Sequence, residues 1–324
     1  MANKGTQKTL EKLKASVNAG NYYEAHQMYR TVARRYNKQQ KYDHTIQLLH
    51  DGALSLMQHG QSTSGADLAN YMLETYKIAN VPVDAASLDR VVELLSLYSP
   101  KEAGRKTYIS SAFSWTQKNG EYREGDPELH DFVGTMFYQE GRFQQAEEHL
   151  LVGTDHSAEV LGELASAWTK EEEGPLEGFH IARIVLQLLA MKNIHHATLA
   201  LASYVKAAQP KTTESLPFRC APADEPVQLP VYDDSWTNFA QLMLLTCQRD
   251  SADFFRQLRT KYNELYGPHK GFDELLDDIG AVFFNIPKPR KQGNMLQDLM
   301  SSLFSGPPAP APQQRRVASG MELD

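Results

Sequence analysis

Helix-breaking residues recur along this chain at intervals of about 20 residues, and this spacing limits the fold more than any other feature. One helix and a tight turn fit each interval, so a helical hairpin repeats about every 40 residues. A single hairpin cannot bury its apolar face, so the hairpins must stack on one another. The sequence therefore predicts an all-α fold, a right-handed α-solenoid of about seven TPR-like hairpins. The breaks stand at Gly20-Asn21, Gln39-Gln40, His59-Gly60, Asn80-Val81-Pro82, Ser99-Pro100, Asn119-Gly120, Glu140-Gly141, Gly174-Pro175 and Lys192-Asn193.

A weak common pattern marks the start of several intervals. An aromatic or apolar residue is followed three positions later by a small one. Examples are Tyr22…Ala25, Tyr42…Thr45, Phe143…Ala146 and Ile194…Ala197. The tetratricopeptide consensus itself is not matched, so the pattern supports only the description "TPR-like".

Two segments depart from the helical pattern. Residues 210–230 contain five prolines, which block helix, so we expect an ordered excursion or a mobile loop there, with a short β-hairpin as one possibility. Residues 287–324 are rich in Pro, Gln, Gly and Ser, and are predicted to form a disordered tail behind a solenoid of residues 1–286. Within the tail, the apolar positions of residues 295–304 have helical spacing. That stretch could fold on a partner, fold back on the body or have no function, and Ser319 is a possible phosphorylation site.

Composition suggests where the protein works. The chain has no apolar run of the ~18–20 residues that a membrane span needs, and the first residues lack the apolar core of a secretory signal. The two cysteines, Cys220 and Cys247, make a disulfide framework unexpected and fit a reducing compartment. We therefore expect a soluble protein of the cytosol that does not insert into membranes.

Charge is distributed unevenly along the chain. Residues 1–41 carry nine Lys and Arg against two Glu, a net charge of +7, whereas the whole chain carries −7. This asymmetry predicts that the N-terminal end meets an acidic partner. Nucleic acid is the rival partner, but no nucleic-acid motif follows the basic residues and the acidic remainder would repel a polyanion. No nucleic acid is expected.

The helix predicted over residues 22–38 has two distinct faces. Its apolar stripe must pack against a neighbouring helix and consists of Tyr22, Ala25, Tyr29, Val32 and Tyr36. A second face is aromatic at one end and cationic along its length, and consists of Tyr23, Gln27, Arg30, Arg34 and Lys38. A core helix needs only the first stripe. The second face is either a solvated surface whose arginine stems cover apolar neighbours or a docking surface.

The sequence contains no recognisable catalytic or metal-binding pattern. His195-His196 lacks a second ligand pair at metal spacing, and the chain has no Gly-rich phosphate loop, nucleophile elbow or CxxC pair. The protein is expected to be no enzyme and to need no metal or cofactor.

Three stretches of this sequence resemble one known family. They are NYYEAHQMYRTVARRY (residues 21–36), DGALSLMQHGQSTSGADLANYMLETY (51–76) and IGAVFFNIP (279–287). All three are similar to the fourth Golgi-to-ER traffic subunit, a family of cytosolic adaptors in the guided-entry pathway for tail-anchored membrane proteins. Because they occur in the family's order across most of the chain, the resemblance is specific.

The resemblance implies a docking site for the pathway's dimeric, nucleotide-bound targeting ATPase on the N-terminal half, residues 1–150. The matching positions, taken with the cationic face, are Tyr22, Tyr23, Arg30, Arg34, Arg35 and Lys38. In the predicted helix from Ser64 to Ala79, Leu68, Met72 and Tyr76 should face inward and Asp67, Asn70, Glu74 and Lys77 outward. The family's acidic residues in this stretch regulate the ATPase, and Asp67 and Glu74 stand at the matching positions.

The C-terminal half, residues 151–286, is rich in aromatics at helical spacing. A terminal cap should be polar outside, so we expect the tail or another chain to cover these side chains. The resemblance implies that this half holds a ubiquitin-like protein in a stable complex, to which the 210–230 segment contributes. Co-chaperones that carry tail-anchored clients would then be recruited indirectly, through the ubiquitin-like protein. The candidate contacts are Trp236, Phe239, Met243, Phe255, Tyr262, Phe272, Phe283 and Phe284.

The expected function is thus a non-enzymatic adaptor that recruits the ATPase through one half and the ubiquitin-like partner through the other. The client's membrane segment is not expected to bind this chain. Two alternatives stay open. One is a helical-repeat scaffold subunit of another cytosolic complex, in which a winged-helix domain would be expected. The other is an RNA-binding helical-repeat protein, which would bind nucleic acid in a salt-dependent way.

Overall fold

A computed structural model of the chain describes residues 4–171, 177–218 and 227–289. These residues form fifteen helices and one two-stranded antiparallel sheet. The helices are α1 (Lys4–Asn18), α2 (Tyr22–Lys38), α3 (Tyr42–Gln58), α4 (Ser62–Ala79), α5 (Ala85–Ser96), α6 (Ala103–Asn119), α7 (Pro127–Gln139), α8 (Phe143–Leu150), α9 (Asp155–Glu171), α10 (Phe179–Ala190), α11 (Ile194–Ala208), α12 (Ser235–Gln248), α13 (Ala252–Lys261), α14 (Asn263–Tyr266) and α15 (Phe272–Phe284). Strands β1 (Thr212–Phe218) and β2 (Val227–Tyr232) lie between α11 and α12.

The helices stack as an α-solenoid. Most of them contact the next helix and the one after it, so that α2, α4 and α6 form one row and α3, α5, α7 and α9 form another. A continuous hydrophobic core runs through the stack from Leu13 on α1 to Ile279 on α15. Apart from α14, which is a single turn, the described helices make seven successive pairs. The predicted all-α solenoid of about seven hairpins is confirmed.

One type of turn recurs between the helices. In six places a left-handed residue stands two positions before a helix begins, and the backbone N–H of the following residue bonds the carbonyl five positions back, as in a Schellman motif. The left-handed residues are Gly20, Gln40, Gly60, Gly141, Lys192 and Asp250. The new helix then buries its fourth residue against the previous one. Those residues are Ala25, Thr45, Gly65, Ala146, Ala197 and Phe255. The weak start pattern in the sequence is therefore the trace of this tight turn.

The last described helix folds back on an earlier one. α15 packs against α13 and also against α10, so the last described helix closes the stack rather than extending it. The hairpin leaves the helical body at this end, and only β2 contacts α12 closely. Asn238 on α12 holds β2 through two hydrogen bonds to the backbone of Tyr232, and the side chain of Gln241 donates to the carbonyl of Pro230. The proline-rich excursion is therefore a hairpin over most of its described length.

Most predicted breaks coincide with the observed helix ends, with two differences. The predicted helix from Ser64 begins two residues earlier, at Ser62, and a break at residues 151–154 separates α8 from α9 where none was predicted. The break at Gly174-Pro175 and the tail from residue 290, including 295–304 and Ser319, lie outside the described residues. Within the described parts of the chain, no helix combines the length and apolar character that crossing a membrane requires.

Candidate functional site

Helix α2 presents both faces that its sequence predicts. Ala25, Tyr29, Val32 and Tyr36 are buried against the neighbouring helices, which confirms the apolar stripe. The opposite edge, including Arg34 and its sequence neighbour Arg35, faces solvent. The helix is fixed in place by the first face, and the second face is free to meet another molecule.

The adjacent tyrosines at the start of α2 have different environments. Tyr23 is 78% exposed, the most exposed large apolar side chain in the described part of the chain. Tyr22 is half-buried, and its ring centroid lies 5.6 Å from that of His59 at the end of α3. Tyr23 is therefore accessible to another molecule, whereas Tyr22 is held against the body of the protein.

Three of the four predicted cationic residues are exposed on α2: Arg34, Arg35 and Lys38. Arg35 lies beside the ring of Tyr36, with its guanidinium carbon 5.5 Å from the ring centroid. The side chains have no carboxylate partner within salt-bridge distance among the described residues. Their charges are therefore available to an acidic partner.

Arg30, the fourth cationic residue, is bound within the chain. Its Nη1 atom donates to both carboxylate oxygens of Asp67 on α4, at 2.6 and 2.8 Å, and His26 Nε2 lies 2.8 Å from the same carboxylate. Residues predicted separately as an ATPase contact (Arg30) and an ATPase regulator (Asp67) thus form one cluster. Sequence reasoning missed His26, whose pairing depends on a residue 41 positions away.

Helix α4 has the predicted inward and outward faces. Leu68, Met72 and Tyr76 are fully buried. Glu74 is exposed, and it lies two turns, or about 10 Å, along the helix from Asp67. The two predicted regulatory carboxylates therefore share the outer surface of α4, and Asp67 adjoins α2 through its bond to Arg30.

Most of the aromatic candidates at the C-terminal end are in the chain's own core. Trp236, Phe239, Met243, Phe255 and Phe272 are at most 5% exposed. Trp236 packs between Phe179 and Phe272, and Phe239 stacks on Tyr266. The expectation that the tail or a partner must cover these five side chains is therefore corrected. Neighbouring helices of the same chain already cover them, because α12 packs on α10, α11 and α13, and α15 packs on α10 and α13.

Three of the aromatic candidates stay at the surface. Tyr262, Phe283 and Phe284 are half-buried, and Val282 beside them is 37% exposed. Strand β1 is a second exposed feature, with every side chain from Thr212 to Pro217 in solvent and Leu216 at 47% exposure. Sequence reasoning listed no hairpin residue as a contact, since its alternation was too weak for a firm strand prediction.

Two groups with shifted pKa values, the Cys247 thiol and the Glu147 carboxyl, are buried. The structure brings together no set of three or more His, Cys, Asp or Glu suited to a metal ion among the residues it describes. Burial raises the pKa of the Cys247 thiol to about 12, which keeps it protonated and unreactive. Burial also raises the pKa of Glu147, despite its ion pair with Arg183. These environments are those of core groups rather than of a reaction centre.

An open groove lies between α5 and α7, with a volume of about 700 Å³. Leu88 and Val92 form one wall, and Phe132 and Met136 form the other. The twelve residues of α5 are about 18 Å long, whereas a membrane-spanning helix needs about 30 Å. The groove is therefore lined on one side by a helix that is shorter than a membrane-spanning one.

Comparisons with known proteins agree on one family. The family model described as "Golgi to ER traffic protein 4" matches residues 39–304. A protein of that name from Aspergillus fumigatus is 32% identical, over 92% of this chain and 90% of the relative. The homolog of that name from Homo sapiens is 31% identical, over 93% and 87%. A crystal structure described as that of C. therm. Get4 superposes with a TM-score of 0.80 at 33% identity, covering 97% of this chain and 99% of the other.

Proposed function

This chain belongs to the Golgi to ER traffic protein 4 family, and from that premise we propose that it is a non-enzymatic adaptor in the targeting of tail-anchored membrane proteins to the ER. Its N-terminal half recruits the dimeric, nucleotide-bound targeting ATPase. Its C-terminal half holds a ubiquitin-like protein, which in turn brings co-chaperones that carry the clients.

The exposed edge of α2 is the observation that carries this proposal. A rigid helix presents one large aromatic side chain, Tyr23, beside the free cations Arg34, Arg35 and Lys38. Aromatic and arginine side chains are the residue types that dominate binding at protein interfaces. Neighbouring cations favour an acidic partner surface and speed its association. The combination supports a specific acidic protein as the partner of α2.

The acidic surface of α4 supplies a means of regulation. Asp67 and Glu74 stand beside the α2 edge, so a partner docked on α2 places its own basic groups near them. A carboxylate changes a nucleotide cycle only if it binds one state of the ATPase more tightly than another. We therefore assign anchoring to α2 and selection of the ATPase state to α4.

The opposite end of the solenoid offers the second surface. Tyr262, Phe283 and Phe284 are half-exposed, and β1 has an outer edge that pairs with no strand among the described residues. Such an edge accepts an added strand from a partner, which suits a segment of a ubiquitin-like protein that folds on binding. The solenoid between the two surfaces then holds donor and acceptor at a defined distance and raises their effective concentration for transfer.

Capture of the targeting ATPase tests this proposal. The wild-type chain and an Arg34→Glu/Arg35→Glu variant are compared as baits, with ATP and without it. We expect capture by the wild type in ATP and its loss in the variant. Both side chains are exposed, so circular dichroism should show unchanged helicity.

A matched control separates the site from net charge. Lys206→Glu/Lys211→Glu changes the charge by the same amount at exposed positions in the other half of the chain, and it should capture the ATPase like the wild type. Equal loss in both double variants would mean that overall charge, not the α2 edge, drives association. Absence of ATPase capture by the wild type would refute the adaptor proposal.

A further inference from the structure

We infer that Arg30 and His26 form an internal clamp that orients the Asp67 carboxylate and leaves it one acceptor direction for a cation of the docked partner. The three residues are called the Asp67 clamp. This inference rests on the proposed function, because it concerns how a docked ATPase meets the regulatory surface of α4. It makes Arg30 a positioning residue rather than a partner contact.

The clamp follows from the hydrogen bonds that Asp67 accepts. A carboxylate has about four lone-pair directions. One direction of Oδ1 accepts from Arg30 Nη1 at 2.6 Å, and both directions of Oδ2 are used by Arg30 Nη1 at 2.8 Å and His26 Nε2 at 2.8 Å. One direction on Oδ1 is left. The carboxyl side chain is 38% exposed, so a partner can reach it.

His26 acts in the clamp as a donor. A carboxylate only accepts hydrogen bonds, so the proton of the His26 ring must be on Nε2. The Gln27 side-chain amide lies 3.4 Å from Nδ1 of the same ring and can donate to it, in keeping with that tautomer. The His26 side chain is 12% exposed, so its ring lies beneath the carboxylate and closes it from the inner side.

The clamp has two consequences for docking. Arg30 shares its charge with Asp67, so the net positive charge of the α2 edge comes from the residues that stay unpaired. The Asp67 side chain is also held in one orientation before the partner arrives, which removes the cost of ordering it on binding. Loss of Arg30 should therefore weaken the effect of Asp67 on the ATPase without removing the anchor.

The isolated protein provides a first test that needs no partner. Long-range proton–nitrogen NMR of the histidine rings should show His26 as a single tautomer with its proton on Nε2. In Asp67→Ala the acceptor is gone, so His26 should become a mixture of tautomers. A mixture in the wild type would overturn the clamp, whatever the chain binds.

The second test separates affinity for the ATPase from the change in ATP hydrolysis at saturating adaptor. Arg30→Gln should change affinity by less than about twofold but remove at least half of the change in hydrolysis, as Asp67→Asn does. Arg30→Lys should retain most of the effect, because a single nitrogen makes both bonds to Asp67. The control Arg34→Gln should weaken binding about two- to fivefold, the range of one exposed charge pair, and leave hydrolysis at saturation unchanged.

The outcomes distinguish the clamp from a direct contact. If Arg30→Gln behaves like Arg34→Gln, and its effect adds to that of Asp67→Asn in the double variant, Arg30 contacts the partner and the inference is wrong. If the double variant is no worse than Asp67→Asn alone, the two residues act as one unit. If the wild type captures no ATPase, the proposed function fails, and the NMR result alone decides whether the clamp exists.

Discussion

The Nδ1 atoms of His130 on α7 and His149 on α8 lie 3.0 Å apart, so one ring donates a hydrogen bond and the other accepts it. His130 Nε2 lies 3.1 Å from the carbonyl oxygen of Glu124 and must donate there, which makes its Nδ1 the acceptor. Phe113 on α6 contacts both rings, tilted against His130 with a centroid distance of 4.3 Å and stacked on His149 with one of 5.0 Å. The pair is neutral and joins three helices at the centre of the solenoid.

Acid should destabilise the protein through this pair. Burial lowers the pKa of His130, and burial together with His130 lowers the pKa of His149 to about 4, below the ordinary value of 6.5. The unfolded chain therefore binds more protons, and stability is lost as the pH falls from about 6.5 towards 4. We expect a loss on the order of 3 kcal/mol from His149 over that range. Urea denaturation at pH 7, 6, 5 and 4 measures this loss.

Removing one ring tests the source of that pH dependence. His149→Phe keeps an aromatic ring against Phe113 and should reduce the loss of stability between pH 7 and 5. His44→Phe, at an exposed position, leaves the pair intact and should retain the wild-type dependence. If stability falls equally with pH in the wild type and in both variants, the acid sensitivity comes from other groups.

Tyr22 and Tyr23 should respond differently to truncation. Tyr23→Ala removes an exposed side chain and should leave the unfolding midpoint unchanged, while ATPase affinity falls by about 2 kcal/mol, the loss typical of an interface anchor. Tyr22→Ala removes a ring that packs on His59, so its main effect should be a lower unfolding midpoint. Urea denaturation and titration calorimetry measure the two effects. A stable Tyr23→Ala protein of unchanged affinity would exclude Tyr23 as an anchor.

A methyl group at Gly162 should separate α9 from α11. The added carbon would lie 2.6 Å from the backbone nitrogen of Tyr204 and closer still to the carbonyl oxygen of Ala200, and backbone atoms cannot rotate away. Gly162→Ala should cost about 3 kcal/mol, the upper range of overpacking. Gly20→Ala is the comparison, since its methyl meets nothing within 4 Å and only the left-handed backbone (φ 77°) costs about 1 kcal/mol. Equal unfolding free energies of the two variants would contradict the close approach of α9 and α11 at Gly162.

The buried ion pair between Arg105 and Glu140 should behave as one unit. The side chains are 4% and 16% exposed, and the guanidinium binds both carboxylate oxygens. Arg105→Met leaves the carboxylate without its main partner and should cost about 3–5 kcal/mol, whereas Arg105→Met/Glu140→Met should recover part of that loss. Arg256→Met, in the exposed pair with Asp253, should change the midpoint little. Additive losses at Arg105 and Glu140 in chemical denaturation would show that the pair is not coupled.

Phe283, a partly exposed aromatic residue of α15, should contribute to binding at the C-terminal surface. Phe283→Ala should weaken capture of the ubiquitin-like protein by at least about tenfold, as an interface anchor does, with little change in helicity. Met191→Ala removes an exposed apolar side chain from the turn after α10, and this variant should bind normally. If Phe283→Ala captures the ubiquitin-like protein as well as the wild type does, the binding site does not include Phe283. A Leu216→Asp variant on β1 would then test the hairpin.

Short-range features of the fold could be predicted from the sequence. Helix ends at Gly20 and Gly60 follow from residues that adopt a left-handed backbone without strain, and the buried stripe of α2 follows from the helical period. The break between α8 and α9 was missed because Gly153 and Thr154, which follow the apolar residues 150–152, are a weak signal without a proline. The exposed anchor candidate Tyr23 was found, because an aromatic residue opposite the apolar stripe of a helix has no place in the core.

What the sequence alone determined is therefore the set of helices and the face that each one buries, since both depend on residues within a few positions of each other. Only the tertiary structure decided which surface residues are free. Arg30 and Arg34 occupy equivalent positions on the cationic face of α2, but Asp67 of α4 pairs with Arg30 alone. Phe272 and Phe283 occupy similar positions in the helical pattern of α15, but only Phe272, which packs on Phe179 of α10, is fully buried. Pairing and burial of this kind arise from helices packed across 37 or more positions of sequence, and no local period encodes that distance.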